Sequence, residues 1–83
     1  MFGHIVLSQA GRDKDKLFVV TGVEDNYLYL ADGDVHKIEN PKRKKIKHVK
    51  ETGQINESIA SKFKKNAKIT NQDLKRTLKL YQN

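Results

Sequence analysis

Apolar residues in the first half of this chain cluster in short bursts, at 5–7, 17–20 and 27–31, each closed off by turn-forming residues. Bursts this short cannot sustain a core helix. Where they alternate between two faces they read as strands. Leu17 and Val19 alternate with Phe18 and Val20, and Tyr27 and Tyr29 alternate with Leu28 and Leu30. The predicted strands cover residues 4–9, 16–23, 27–31, 35–39 and 46–50. Between them lie a polar turn at 10–15, a hairpin loop at Glu24-Asp25-Asn26, the tight-turn pair Asp32-Gly33, and Asn40-Pro41, where proline stops a ladder. Gly22 marks a bulge or bend within the second strand. Short strands punctuated roughly every eight to twelve residues predict a small closed β-barrel over residues 1–51.

The period then changes. Ile55, Ile59, Ala60 and Phe63 recur at helical spacing, with a turn at 64–68 around Asn66. Thr70 and Asp73 form a near capping box, with Asp in place of Glu or Gln, and Ile69 and Leu74 stand where a hydrophobic staple would sit. Leu74, Leu78 and Tyr81 make one apolar stripe. Residues 52–83 therefore read as a C-terminal helical pair, expected to pack on the barrel. Phe18 and Phe63 are expected in the core.

Charge is distributed by region. Residues 1–35 carry three basic and six acidic side chains, residues 36–50 seven and one, and residues 51–83 seven and three, for a net +7 over 83 residues. Six of the ten residues at 41–50 are cationic and none is acidic. Ile46 and Val49 are set into that run, so the charges are expected on or beside a folded element. Like charges this close repel unless a polyanion relieves them. A dense cationic edge on a small fold is the electrostatic footprint of a phosphate-backbone reader.

Other chemistries find little support. With no cysteine there are no disulfides and no thiolate metal sites. His4, His36 and His48 are scattered, with no metal-binding spacing, and Asp32-Gly33-Asp34 reads as a turn rather than a calcium loop. Ser8, Ser58 and Ser61 lack a nucleophile motif, no phosphate-binding glycine loop is present, and the acids sit in turns. No enzyme activity, cofactor, metal or small-molecule substrate is expected. No apolar run approaches the ~20 residues of a membrane span, and residues 1–7 have no basic segment leading a long apolar one. A soluble cytoplasmic protein with no membrane partner is expected.

The strand at 4–9, the turn Ala10-Gly11-Arg12-Asp13-Lys14-Asp15-Lys16 and the strand after it resemble a KOW motif, the strand–loop–strand element of several ribosomal proteins and NusG-type transcription factors. The Tyr-Leu-Tyr-Leu-Ala-Asp-Gly-Asp segment at 27–34, the run Lys-Ile-Glu-Asn-Pro-Lys-Arg-Lys-Lys-Ile-Lys-His at 37–48 and the two terminal helices extend the likeness over about residues 4–80. Together they resemble the small bacterial KOW proteins related to ribosomal protein L-fourteen-e of archaea and eukaryotes. The resemblance implies an SH3-like barrel of KOW type and binding to structured RNA, above all ribosomal RNA of the large subunit. It matches Gly11 to the KOW glycine and Arg12, Lys14 and Lys16 to the polar loop. Asp15 departs from the pattern, where relatives often carry a second glycine; Asp tolerates a left-handed backbone better than most residues.

These readings converge on a mainly β protein with C-terminal helices that binds RNA and is a monomer off the ribosome. The expected RNA contacts are Arg12, Lys14, Lys16, Lys37, Lys42, Arg43, Lys44, Lys45, Lys47, His48 and Lys50. Tyr29 could stack on a base, but a half-buried barrel tyrosine with its hydroxyl in water is the favoured reading. The rival function is a protein-interaction module of the transcription or translation machinery, with Glu24, Asp25, Asp32 and Asp34 facing a basic partner.

Overall fold

The structure, a computed structural model, describes residues 1–82. Asn83, the last residue of the expected helical pair, lies outside them. Five antiparallel strands form one sheet: β1 (His4–Ser8), β2 (Leu17–Glu24), β3 (Tyr27–Ala31), β4 (Lys42–Lys45) and β5 (Val49–Ile55), in the order β4-β3-β2-β1-β5. Two helices follow, α1 (Glu57–Lys64) and α2 (Asn71–Lys79).

The link between the outer strands forces the sheet to curl. β4 and β5 lie at opposite edges, four strand spacings or about 19 Å apart in a flat sheet. Yet only a 3-10 turn, Ile46–His48, joins them, and at ~2 Å rise per residue it spans under about 10 Å. The curled sheet stays open, with no ladder between β4 and β5 among the described residues. This corrects the closed barrel that strand spacing predicts.

Curling gives the sheet two apolar faces. Val6, Phe18, Val20, Leu28 and Leu30 are fully buried inside it, with Val49 packed alongside. On the other face Ile5, Val19 and Ala31 pack against Ile59 of α1, Ile69, and Leu74 and Leu78 of α2, with Phe63 and Tyr81 at the margin. The helices thus dock on the sheet and share a core with it. Each fully buried aliphatic or aromatic side chain contributes about 1.5–3 kcal/mol, so neither layer is dispensable in a chain of this length.

Several local expectations hold. The register slips between Val20 and Gly22, leaving a bulge at Thr21. The Thr70–Asp73 capping box is complete. Asn66 adopts φ 54° in the turn between the helices, and Asp15 adopts the left-handed backbone it tolerates, at φ 69°.

Two strands are corrected. Residues 35–39 form bends rather than a strand, because the loop satisfies its backbone internally. The Asp32 carboxylate accepts from the Asp34 and His36 amides at 2.9 Å, and the His36 carbonyl accepts from the amides of Asp32 and Gly33. The fourth strand is the basic segment after Pro41, and proline here precedes a strand instead of ending one. Residues 46–48 are the 3-10 turn, and β5 begins at Val49 and runs on to Ile55. Ile55 therefore belongs to the strand and is 42% exposed. Helix α1 starts instead where Asn56 caps it, its side chain accepting from the Ile59 amide at 3.0 Å.

The 32–40 loop is pinned to α2. Asn71 Oδ1 accepts from the Ile38 amide at 2.8 Å, and Gly33 has φ +80°. A Cβ at Gly33 would run into the Asn71 carbonyl and Leu74. Gly33→Ala is therefore expected to cost at least ~1–2 kcal/mol from the left-handed backbone alone. Thermal unfolding should show a fall of about 4–8 °C for each kcal/mol.

Candidate functional site

β4 is composed entirely of cations: Lys42, Arg43, Lys44 and Lys45. Side chains of a strand alternate between faces, and the pairing with β3 sorts these four. Lys42 and Lys44 stand opposite Leu30 and Leu28, on the interior face. Arg43 and Lys45 stand opposite Tyr29 and Tyr27, on the outer face.

The interior pair is committed to the fold. Lys44 is only 9% exposed, and its ammonium donates to the Ala10 carbonyl at 2.5 Å. Burial pushes its pKa below the ordinary lysine value, neighbouring Lys42 pushes the same way, and Asp13 opposes both. Lys42 donates to Oδ2 of Asp13, a carboxylate only 6% exposed, and His36 Nε2 lies 3.4 Å from the same oxygen. The hydrogen bond from Lys42 holds the Asp13 carboxyl below its usual range. Burial works against it, and the charge of Lys42 and the proximity of His36 add to it.

This contact joins segments that are distant in sequence. Asp13 closes the 3-10 turn Gly11–Asp13, in which Gly11 has φ +78° and its carbonyl accepts from the Lys14 amide. The Asp13–Lys42 and Lys44–Ala10 contacts fasten this turn to β4, and the Gln9 amide donates to the His48 carbonyl at 2.9 Å. The loop cations Arg12 and Lys14 are thereby brought beside β4 and the turn after it. Lys37 follows His36 into the same neighbourhood.

Of the expected contact residues, Arg12, Lys14, Lys16, Lys37, Arg43, Lys45, Lys47 and Lys50 are exposed, and none is in an ion pair among the described residues. His48 is half-buried. Two of them stand somewhat apart. Lys16 lines an open cleft of about 790 Å³ with Asp15, Asp32 and Asp34 opposite Lys75 and Lys79, a surface of mixed sign. Lys50 lies on β5 opposite Leu7.

The outer face carries features that the residues alone did not reveal. The Arg43 guanidinium lies 4.1 Å from the centre of the Tyr27 ring. The Tyr29 hydroxyl donates to Glu24 at 3.0 Å, so the ring is half-buried as expected but its hydroxyl has a protein partner. The Leu/Tyr alternation at 27–31 would have sorted the basic run into inner and outer residues, had β4 been placed against it.

No group of three or more histidine and carboxylate side chains among the described residues could hold a metal ion. No helix among them is long and apolar enough to cross a membrane. The chain matches no protein-family model, and no curated protein matches it.

The Asp13 contact sets a pH dependence. Its pKa is lower in the folded state than in the unfolded one, so the unfolded chain binds more protons in acid. Its stabilisation is full above the unfolded value of about 3.9 and is lost as pH falls through the lowered folded value. Asp13→Asn is expected to cost about 1–3 kcal/mol at neutral pH and to flatten the fall in stability below about pH 4. Urea unfolding at a series of pH values measures both.

Proposed function

We propose that this chain is an RNA-binding protein built on an SH3-like barrel of KOW type, and that it reads structured RNA through phosphate contacts. One observation carries the proposal: β4 and the turn after it present Arg43, Lys45 and Lys47 exposed, without ion-pair partners among the described residues, while the alternate lysines of the strand anchor it. A backbone already ordered in this way need not be ordered again when its side chains meet phosphates, and each phosphate they neutralise releases counterions. Arg12 and Lys14 widen the strip from the neighbouring turn.

The strand order, the 3-10 turn between the fourth and fifth strands and the left-handed Gly11 after β1 support the SH3-like, KOW-type assignment. That assignment makes ribosomal RNA of the large subunit the first RNA to test and a translation-associated role in the cytoplasm the expected setting. Lysines along an edge give affinity more than sequence readout, which suits RNA recognised through its shape and backbone.

The protein-interaction reading has weaker support. Two of its four acids are engaged within the chain, Asp32 in its own loop and Glu24 with Tyr29.

The triple variant Arg43→Ala/Lys45→Ala/Lys47→Ala is expected to bind a structured ribosomal RNA fragment far more weakly. The slope of log affinity against log salt should fall by about 2–3, close to 0.7–0.9 per lost phosphate contact. Its thermal stability should change little, since exposed charges contribute little. Lys42→Ala should do the reverse, lowering stability by taking from nearly buried Asp13 its hydrogen-bonded cation while keeping most of the salt slope. A triple variant with an unchanged slope would remove the outer edge from the interface.

A further inference from the structure

The outer face of β2–β3–β4 is more than a row of charges. Pairing sets Glu24 of β2 beside Tyr27 and Gly22 beside Tyr29, then Tyr27 beside Lys45 and Tyr29 beside Arg43 of β4. Across about 10 Å, two strand spacings, the surface passes from a carboxylate through two aromatic rings to two cations.

The parts are pre-arranged. Gly22 offers no side chain, and the Tyr29 ring lies so close that a Cβ there would come 3.1 Å from its Cδ2. The Tyr29 hydroxyl is fixed by one oxygen of Glu24, whose other oxygen has no partner among the described residues. The Arg43 guanidinium sits over the Tyr27 ring, 4.1 Å from its centre, and Arg43 is exposed. A guanidinium already held over a ring is a ready platform for a base, because bases stack on Arg planes and part of its ordering precedes binding.

We infer that this face holds an unpaired base of the bound RNA, stacked on Arg43 and Tyr29, with its phosphate toward Lys45 and an amino edge toward Glu24. The inference rests on the RNA-binding reading and adds to it the class of RNA element taken: an unpaired, splayed-out nucleotide rather than a continuous duplex. Charge order fixes the orientation. Glu24 repels phosphate and accepts from a base amino group, whereas Lys45 does the opposite. Bases within a duplex are stacked on one another and cannot reach the platform.

The test uses two RNAs with equal numbers of phosphates, a hairpin with an unpaired loop and a blunt duplex, titrated with the full chain. Arg43→Lys keeps the charge and loses the plane; it is the decisive variant because it leaves the core untouched. It should weaken hairpin binding severalfold and duplex binding, where the retained charge still meets phosphate, distinctly less, with the duplex salt slope kept. Tyr29→Ala should weaken hairpin binding by about 5- to 150-fold, the usual range for a stacked base, and spare the duplex. Equal losses on both RNAs for Arg43→Lys would make Arg43 a phosphate contact alone and overturn the inference, as would no loss on either. Wild-type protein that binds neither RNA would instead overturn the RNA-binding reading itself.

Discussion

A nearly buried carboxylate holds the basic strand in place. β4 is an edge strand of four cations, and nothing in its composition favours a strand: lysine is a poor sheet former, and neighbouring charges repel. Asp13 offsets this by meeting Lys42 from below, while the Ala10 carbonyl takes Lys44. Both contacts come from the turn after β1, so the first and fourth strands are joined around the open end of the sheet. With the interior lysines satisfied there, the outer residues of the same strand sit on an ordered backbone and are in no ion pair among the described residues.

This division gives the cluster of charge two roles. A strand of alternating inner and outer cations splits a charge run that would otherwise repel itself into a row fastened to the fold and a row exposed to solvent. The curl of the sheet completes the arrangement, because the three-residue turn carries Lys47 and His48 from the edge of β4 to the start of β5. The basic residues therefore follow one bent rim, with Arg12 and Lys14 alongside, rather than a flat patch. The helices cover the opposite apolar face and leave this rim open.

Much of the fold was legible in the residues. The alternation at 17–20 and 27–31, the bulge near Gly22, the Thr70 cap and the left-handed Asp15 are local signals, and local physics decides them. The errors arose where tertiary contacts override local preference. Residues 35–39 look like a strand by composition, but Asp32 and Asn71 fold them into a loop held on α2. Lys42–Lys45 do not look like a strand, but β3 pairs with them and Asp13 neutralises their inner side. The candidate site was legible as a region, since the basic run stands out in any charge map. Its division into inner and outer cations was not, because that needs the register against Tyr27–Ala31. The aromatic platform was hidden for the same reason: Arg43 and Tyr27 are sixteen positions apart, and only pairing brings them together.

The most direct measurement is ultraviolet crosslinking of the native protein to RNA in its own cell lysate, with the crosslinked residues mapped by mass spectrometry. The account predicts RNA adducts that disappear on nuclease treatment before irradiation. They should concentrate on the outer residues of β3, β4 and the turn that follows, namely Tyr27, Tyr29, Lys45 and Lys47. Absence of adducts, together with a protein partner that stays bound after nuclease, would contradict it. Adducts confined to α1 and α2 would contradict it as well, by moving the interface to the other side of the molecule.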